Sequence, residues 1–444
     1  MKNRIFKIAF IFILGLIVLS CNKEEEQVLM EIGKTEINIT NDETEAQLTI
    51  TSNVNWKITD SNRPEWISIS PLSGSGNGNI QIRVIDNDKR VEASFTLFIE
   101  YSGQQISVPV TIKNAEKYED GGYTIYQTSK KANPIKLIIT GDGYLPSHFN
   151  YGGLFDQNAN EAIEALFAIE PYKTYREYFS VYKVAAFSEE TGISNPKYNV
   201  QKNTAFSCAL TGGTGIECNY DRVFSYALLI PGISESDLMN TSICVIINEN
   251  TYAGTCYMMS NGKSIAMVPV SRTDDSYHTT QFSNIICHEY GGHGFGKLAD
   301  EYVTYDGTIP YEDKKLLLSW QAYDYYMNVS PFNTAEEVPW SRFIGKPDYP
   351  QVSIFEGGYY YTRGITRPEE TSCMDDNRLY FNTQSRYTIV ERILQVAGEG
   401  ELTYQKFLDK DVQKTPPPFT RNLSKAKDFK PLAPPILVLE EAHK

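Results

Sequence analysis

Residues 264–302 read SIAMVPVSRTDDSYHTTQFSNIICHEYGGHGFGKLADEY. Ser264 to Val270 reads as a strand, and a helical segment begins near Thr279 and carries two of the chain's five histidines. Upstream, Pro134 to Thr140 is a short apolar strand, Ala159 to Ile169 has helical spacing, Phe179 to Phe187 returns to β-rich residues, and Ser242 to Asn248 is a further strand. Strands interspersed with helices in this way predict a mixed α/β unit.

Working outward to the amino-terminal side, the polar joint Glu116 to Gly122 marks a change of composition. Before it, Thr35 to Thr40, Ala46 to Thr51, Ile80 to Ile85, Ala93 to Glu100 and Ile106 to Ile112 alternate as short strands. Turn clusters such as Ser73 to Asn79 and Asp86 to Asp88 separate them. That pattern predicts an all-β sandwich of immunoglobulin-like size over residues 28–113. Met1 to Arg4 is basic, Ile5 to Leu19 is almost wholly apolar, and Cys21 stands where the apolar run stops, so residues 1–20 read as a secretory signal. On the carboxyl-terminal side, residues 399–444 contain Pro416 to Pro418 and Pro434-Pro435 and read as a tail.

The whole chain of 444 residues is long enough for about three units at roughly 150 residues each. Its 41% apolar and 22% charged residues exclude a disordered protein. The formal charge is −14, and −17 once residues 1–20 with Lys2, Arg4 and Lys7 are removed, a sign that opposes nucleic acid as a partner. Six cysteines remain after Cys21; Cys208 with Cys218, or Cys244 with Cys256, would close short loops, and spacing alone does not pair them. No C-x-x-C, nucleophile elbow or phosphate loop occurs.

The chemistry centres on His288-Glu289-Tyr290-Gly291-Gly292-His293. In H-E-x-x-H, about 100° per residue returns the fourth step to within about 40° of the first, so both imidazoles face one metal; a fifth step lands about 140° away. The extra residue therefore predicts a π-bulge or widened turn, with Gly291 and Gly292 as the residues that absorb it. A catalytic zinc keeps three protein ligands and a water whose proton a nearby carboxylate accepts, which makes Zn2+ the expected cofactor and Glu289 the candidate base. Asp300 is the favoured third ligand because histidines are scarce, with Glu301 its close competitor and His278 and His148 as further alternatives.

His288 through Tyr302 resembles the signature of the IgA-peptidase-type zinc metallopeptidases, with support from Thr140 to Tyr144, Glu170-Pro171-Tyr172 and Thr371 to Met374. The resemblance covers about residues 120–398, an amino-terminal α/β part to about 240 and a catalytic part from about 241. The familiar family motif lacks the extra Gly, although dipeptidyl-peptidase-III-type enzymes bind zinc through H-E-x-x-x-H. Ser372 to Asp375 is similar to the methionine turn of metzincins, which implies a metzincin-like α/β (α+β) fold. There Ile265 to Val268 would stand where an extended substrate adds as a strand. Tyr361, Arg367 and Arg386 are candidates for steadying an oxyanion, and Asp142 ends an apolar strand where functional loops are common.

Trp56, Pro64 to Ile67 and Ser70 to Gly74 resemble the BACON module, which implies contact with carbohydrate or mucin, although both Trp56 and Trp66 read first as core residues. Val18 to Cys21 resembles a lipobox and residues 22–26 an acidic export tag of Bacteroidetes lipoproteins. The resemblances imply membrane attachment through a lipid on Cys21, an outer-membrane location facing the surface or periplasm, and an acidic tether over residues 21–27. Together they imply a lipid-anchored zinc metalloendopeptidase acting on extracellular polypeptide or glycoprotein. The competing reading is a non-catalytic glycan-binding adhesin on a degenerate peptidase scaffold.

Overall fold

The computed structural model describes residues 27–41, 43–273, 279–417 and 430–439. The signal, Cys21, most of the acidic tether and His278 lie outside the described residues. The described chain divides into two compact units.

The amino-terminal unit is all β. One sheet orders Met30–Ile32, Glu45–Ser52, Gly78–Val84 and Ile67–Ser70; the other orders Ile37–Ile39, Gln104–Ile112, Ala93–Tyr101, Asn55–Ser61 and Ser73–Ser75. Period-two alternation sends Leu48, Ile50, Ile80 and Ile82 from the first sheet and Ile58, Leu97, Ile99 and Val108 from the second into a single core. Trp56 and Trp66 are 4% and 8% exposed and belong to that core, so neither presents an indole face to a sugar. The Trp56 indole donates to the Gly76 carbonyl at 2.8 Å, and a Cβ on Gly74 or Gly78 would collide with its ring.

The second unit is built on a seven-stranded mixed sheet in the order Tyr123–Gln127, Phe179–Val184, Ile135–Asp142, Ser242–Ile247, Ser264–Pro269, Thr255–Met259 and Ile436–Val438. Phe179–Val184, Ile135–Asp142, Ser242–Ile247 and Ser264–Pro269 run parallel, and Tyr123–Gln127 and Thr255–Met259 join them antiparallel. Both faces are covered, which is why these strands read as unbroken apolar runs. Cys244 and Ile246 face the Leu154–Ala168 helix and the histidine helix, while Ile243, Val245 and Ile247 face the other layer with the Tyr220–Ala227 helix.

Three expectations change here. The Ser264–Pro269 strand lies inside the sheet, paired on both sides, so it has no free edge for a substrate. Cys244 and Cys256 both stand opposite Ala266, two strands apart or about 9–10 Å, beyond disulfide reach; all six described cysteines are free thiols. Residues expected as a tail are built into this unit: Phe407 of the Tyr404–Lys410 helix is buried, and Ile436–Val438 supplies a sheet strand. Among the described residues no helix is long and apolar enough to cross a membrane.

Candidate metal centre

A short α-helical turn, Phe282–Ile285, runs directly into a π-helix over Ile286–Phe295. The wider ladder is visible at its end, where the Gly296 N–H donates to the Gly291 carbonyl five residues back at 3.0 Å. In such a ladder a turn takes more residues, so the fifth step falls much nearer the first than it does on an α-helix. His288 and His293 therefore meet, with ring centroids 4.8 Å apart and their Nε2 atoms 3.1 Å apart. The two glycines serve a need the sequence reading did not identify. Neither has a left-handed φ, but a Cβ on Gly292 would stand 2.2 Å from Met374 Sδ and one on Gly291 3.0 Å from Leu166 Cδ1. The missing side chains make room for Met374 and Leu166 beneath the widened turn.

Asp300 reaches the same point. Its Oδ1 lies 3.1 Å from His288 Nε2 and 3.2 Å from His293 Nε2, and its Oδ2 accepts from the Tyr360 hydroxyl at 2.8 Å. Each imidazole is oriented from behind: His288 Nδ1 is 3.0 Å from the Cys373 carbonyl and His293 Nδ1 is 2.7 Å from the Leu298 carbonyl. A carbonyl only accepts, so both Nδ1 atoms carry the proton and both Nε2 lone pairs point inward. Two lone pairs and a carboxylate oxygen thus converge without a proton between them. Ligands about 2.0–2.1 Å from a tetrahedral zinc stand roughly 3.3–3.4 Å from one another, close to the spacings here. His288, His293 and Asp300 form a buried group that could hold a metal ion.

Burial would raise the Asp300 carboxyl, yet the positive charge the two imidazoles carry when protonated outweighs it and holds it well below the usual carboxylate range, a charge that a bound cation would supply in their place once the Nε2 lone pairs turn to it. Glu289 is 0% exposed and neither of its carboxylate oxygens has a hydrogen-bond partner. Burial pushes it up to about 8, with His288 opposing and Asp300 adding to the rise. A Cβ on Gly254 would sit 2.9 Å from Glu289 Cγ and Oε1, so the Thr255–Met259 strand begins beside this carboxylate.

Glu301, the neighbouring competitor, turns to the opposite side. Its carboxylate accepts from Asn328 Nδ2 at 2.8 Å and from Asn382 Nδ2 at 2.8 and 2.9 Å, while its N–H donates to the Met374 carbonyl. His148 Nδ1 accepts from the Leu145 N–H in a separate short helix. Tyr361 donates to Asp313, Arg367 to the Gly357 and Glu369 carbonyls, and Arg386 to Asp411 and the Phe381 carbonyl. Asp142 gathers the Thr204 hydroxyl and the Phe206 and Cys208 N–H groups, organising a loop. Tyr360, which holds Asp300, and Asn328 and Asn382, which turn Glu301 away, are the residues the sequence reading missed. Thirty tyrosines gave Tyr360 no contrast, and the asparagines act from far along the chain.

No curated protein matches the chain significantly. Solved structures that share local likeness include the periplasmic chaperone SfaE (15% identity, 19% of this chain and 57% of that chain, TM-score 0.17). Others are WR4, a C. elegans MSP family member (14%, 19% and 99%, 0.17), and the S-layer protein rSbsC (17%, 22% and 15%, 0.17). The chain thus spans little more than half the length of the chaperone, and likenesses this partial assign no fold. Residues 29–115 match the model described as Viral BACON domain, in line with the resemblance read from Trp56 to Gly74. Residues 123–346, just over half of the 444, match the model for IgA Peptidase M64, and the chain belongs to that family of peptidases.

Proposed function

We propose that this peptidase is a zinc-dependent endopeptidase in which His288, His293 and Asp300 hold the metal and Glu289 is the general base. The observation that carries the reading is the convergence of three proton-free acceptors, 3.1–3.2 Å apart, next to a buried carboxylate without a partner. Bound there by His288, His293 and Asp300, zinc would supply a Lewis acid able to bring the pKa of water to about 7 and to polarise a scissile carbonyl.

The chain's own residues do the rest. The Cys373 and Leu298 carbonyls keep both rings in the tautomer that offers Nε2. Tyr360 ties down Asp300 Oδ2, leaving Oδ1 for the metal side. Glu289 takes a proton from the attacking water at its carboxylate and returns it to the leaving amine; the low dielectric around it strengthens each of these interactions. Met374, packed against Gly292, gives the ligands an apolar floor in the manner of a methionine turn. A polypeptide chain is the substrate class, and glycoproteins outside the cell are its natural source if Cys21 carries the lipid anchor that the amino-terminal sequence implies. Mass spectrometry of the exported protein, looking for an acylated Cys21, checks the anchor.

Glu289→Gln tests the mechanism. The variant should bind one zinc per chain as the parent does and lose about 10²–10⁴-fold in kcat on a broad peptide library. Equal turnover by the variant, or a parent that retains no metal after dialysis, would overturn the reading. The adhesin alternative gains no support from the amino-terminal unit, whose tryptophans are occupied in its core.

A further inference from the structure

Glu289, His288, His293 and Asp300 are all 0–1% exposed, although an endopeptidase must admit an extended chain to such a centre. The segment running past it is the protein's own residues 430–439. Three successive carbonyls of this segment each accept a hydroxyl. Tyr252 donates to Lys430 at 2.8 Å, Thr214 to Pro431 at 3.1 Å, and Tyr302 to Leu432 at 2.8 Å. The Tyr302 ring packs on Tyr360, centroids 5.4 Å apart, and the Tyr360 hydroxyl donates to Asp300 Oδ2. Leu432 is buried at 2% exposure. Beyond it, Ile436–Val438 pairs in parallel with Tyr257–Met259, and Ser260 N–H closes onto the Val438 carbonyl at 3.0 Å.

Apart from this addition the Thr255–Met259 strand is the outermost at its end of the sheet, and Gly254, just before it, stands against Glu289. The occupied edge therefore belongs to the strand whose approach passes the catalytic carboxylate. Its occupant is an extended peptide held by backbone carbonyls and strand pairing, the same groups any polypeptide substrate offers. Pro431, Pro434 and Pro435 fix φ in the segment and lower the entropy lost when it docks.

We propose that residues 430–439 are an autoinhibitory strap: an internal peptide that occupies the substrate-pairing edge of Thr255–Met259 and covers the metal centre until it is displaced. The proposal rests on the peptidase reading above. An intramolecular occupant lowers the fraction of molecules open to substrate and so raises KM by the inverse of that fraction, while kcat at saturation is unchanged.

The test compares the zinc-loaded full chain with a chain ending at Pro417, which keeps the Tyr404–Lys410 helix and Asp411. Truncation should lower KM for a library peptide about tenfold or more at constant kcat. It should also speed zinc removal by a soluble chelator. The synthetic peptide KPLAPPILVL should bind the truncated chain and inhibit it competitively. Equal KM and equal chelation rate in two folded proteins would overturn the strap. Faster chelation and peptide binding without any hydrolysis by either chain would keep the strap and remove the peptidase reading. If truncation prevents folding, Tyr252→Phe with Thr214→Val removes two of the three hydroxyl clamps. This double variant should show the same faster chelation and lower KM, and an unchanged rate and KM would count against the strap.

Discussion

At the scale of single residues, Asp300 and Glu301 show how adjacent carboxylates acquire different surroundings. Asp300 faces two imidazoles, which hold it ionised; Glu301 lies among Asn328, Asn382 and buried surface, and burial pushes it up to about 8. Its folded value thus lies above the unfolded value of 4.5, so the folded state binds the proton more tightly. The stability it contributes is fully present below about 4.5 and is lost as pH rises towards about 8. The metal-free protein should therefore melt at progressively lower temperature across that window, and Glu301→Gln should flatten the decline; parallel melting-temperature curves for parent and variant would contradict this. The sequence favoured Asp300 as the third ligand, with Glu301 its close competitor and His278 and His148 as further alternatives, but could not separate the two carboxylates, because the separation comes from Asn328 and Asn382, 27 and 81 residues away. Tyr360 was hidden for the opposite reason, being one tyrosine in thirty.

At the scale of elements, the histidine helix was legible because its irregularity is written in the spacing. Five steps between the histidines, with two glycines between them, demanded a widened turn, and the structure has a π-helix there. What the spacing did not contain was Met374, which approaches Gly292 from more than eighty residues on. Gly292→Ala should therefore destabilise by about 1–3 kcal/mol through overpacking and weaken metal retention. In a double-mutant cycle Met374→Ala should recover part of that loss, measured by thermal melts and zinc content; strictly additive losses would show that the close approach is not the cause. The Thr255–Met259 strand escaped the sequence reading because it is buried on both faces, so TCYMM carries no alternation. The strands around it were legible from their β-branched runs.

At the scale of the whole molecule, the two-unit division was readable from the change in composition near Glu116 to Gly122, but the end of the second unit was not. The prolines after residue 398 look like a tail, yet Arg386, fully buried, forms a two-point ion pair with Asp411 at 2.9 and 2.8 Å. Asp411→Ala leaves that guanidinium uncompensated and should cost about 3–5 kcal/mol. A denaturant midpoint unchanged by the substitution would show that the segment after residue 398 is dispensable to the unit.

The π-helix carries one more consequence, for how such enzymes are found. A search string written as letters and gaps of fixed width rejects this chain, whereas one written in rungs of the backbone ladder accepts it. The extra residue between the two rings changes the count, and the ladder takes it up so that the rings still meet.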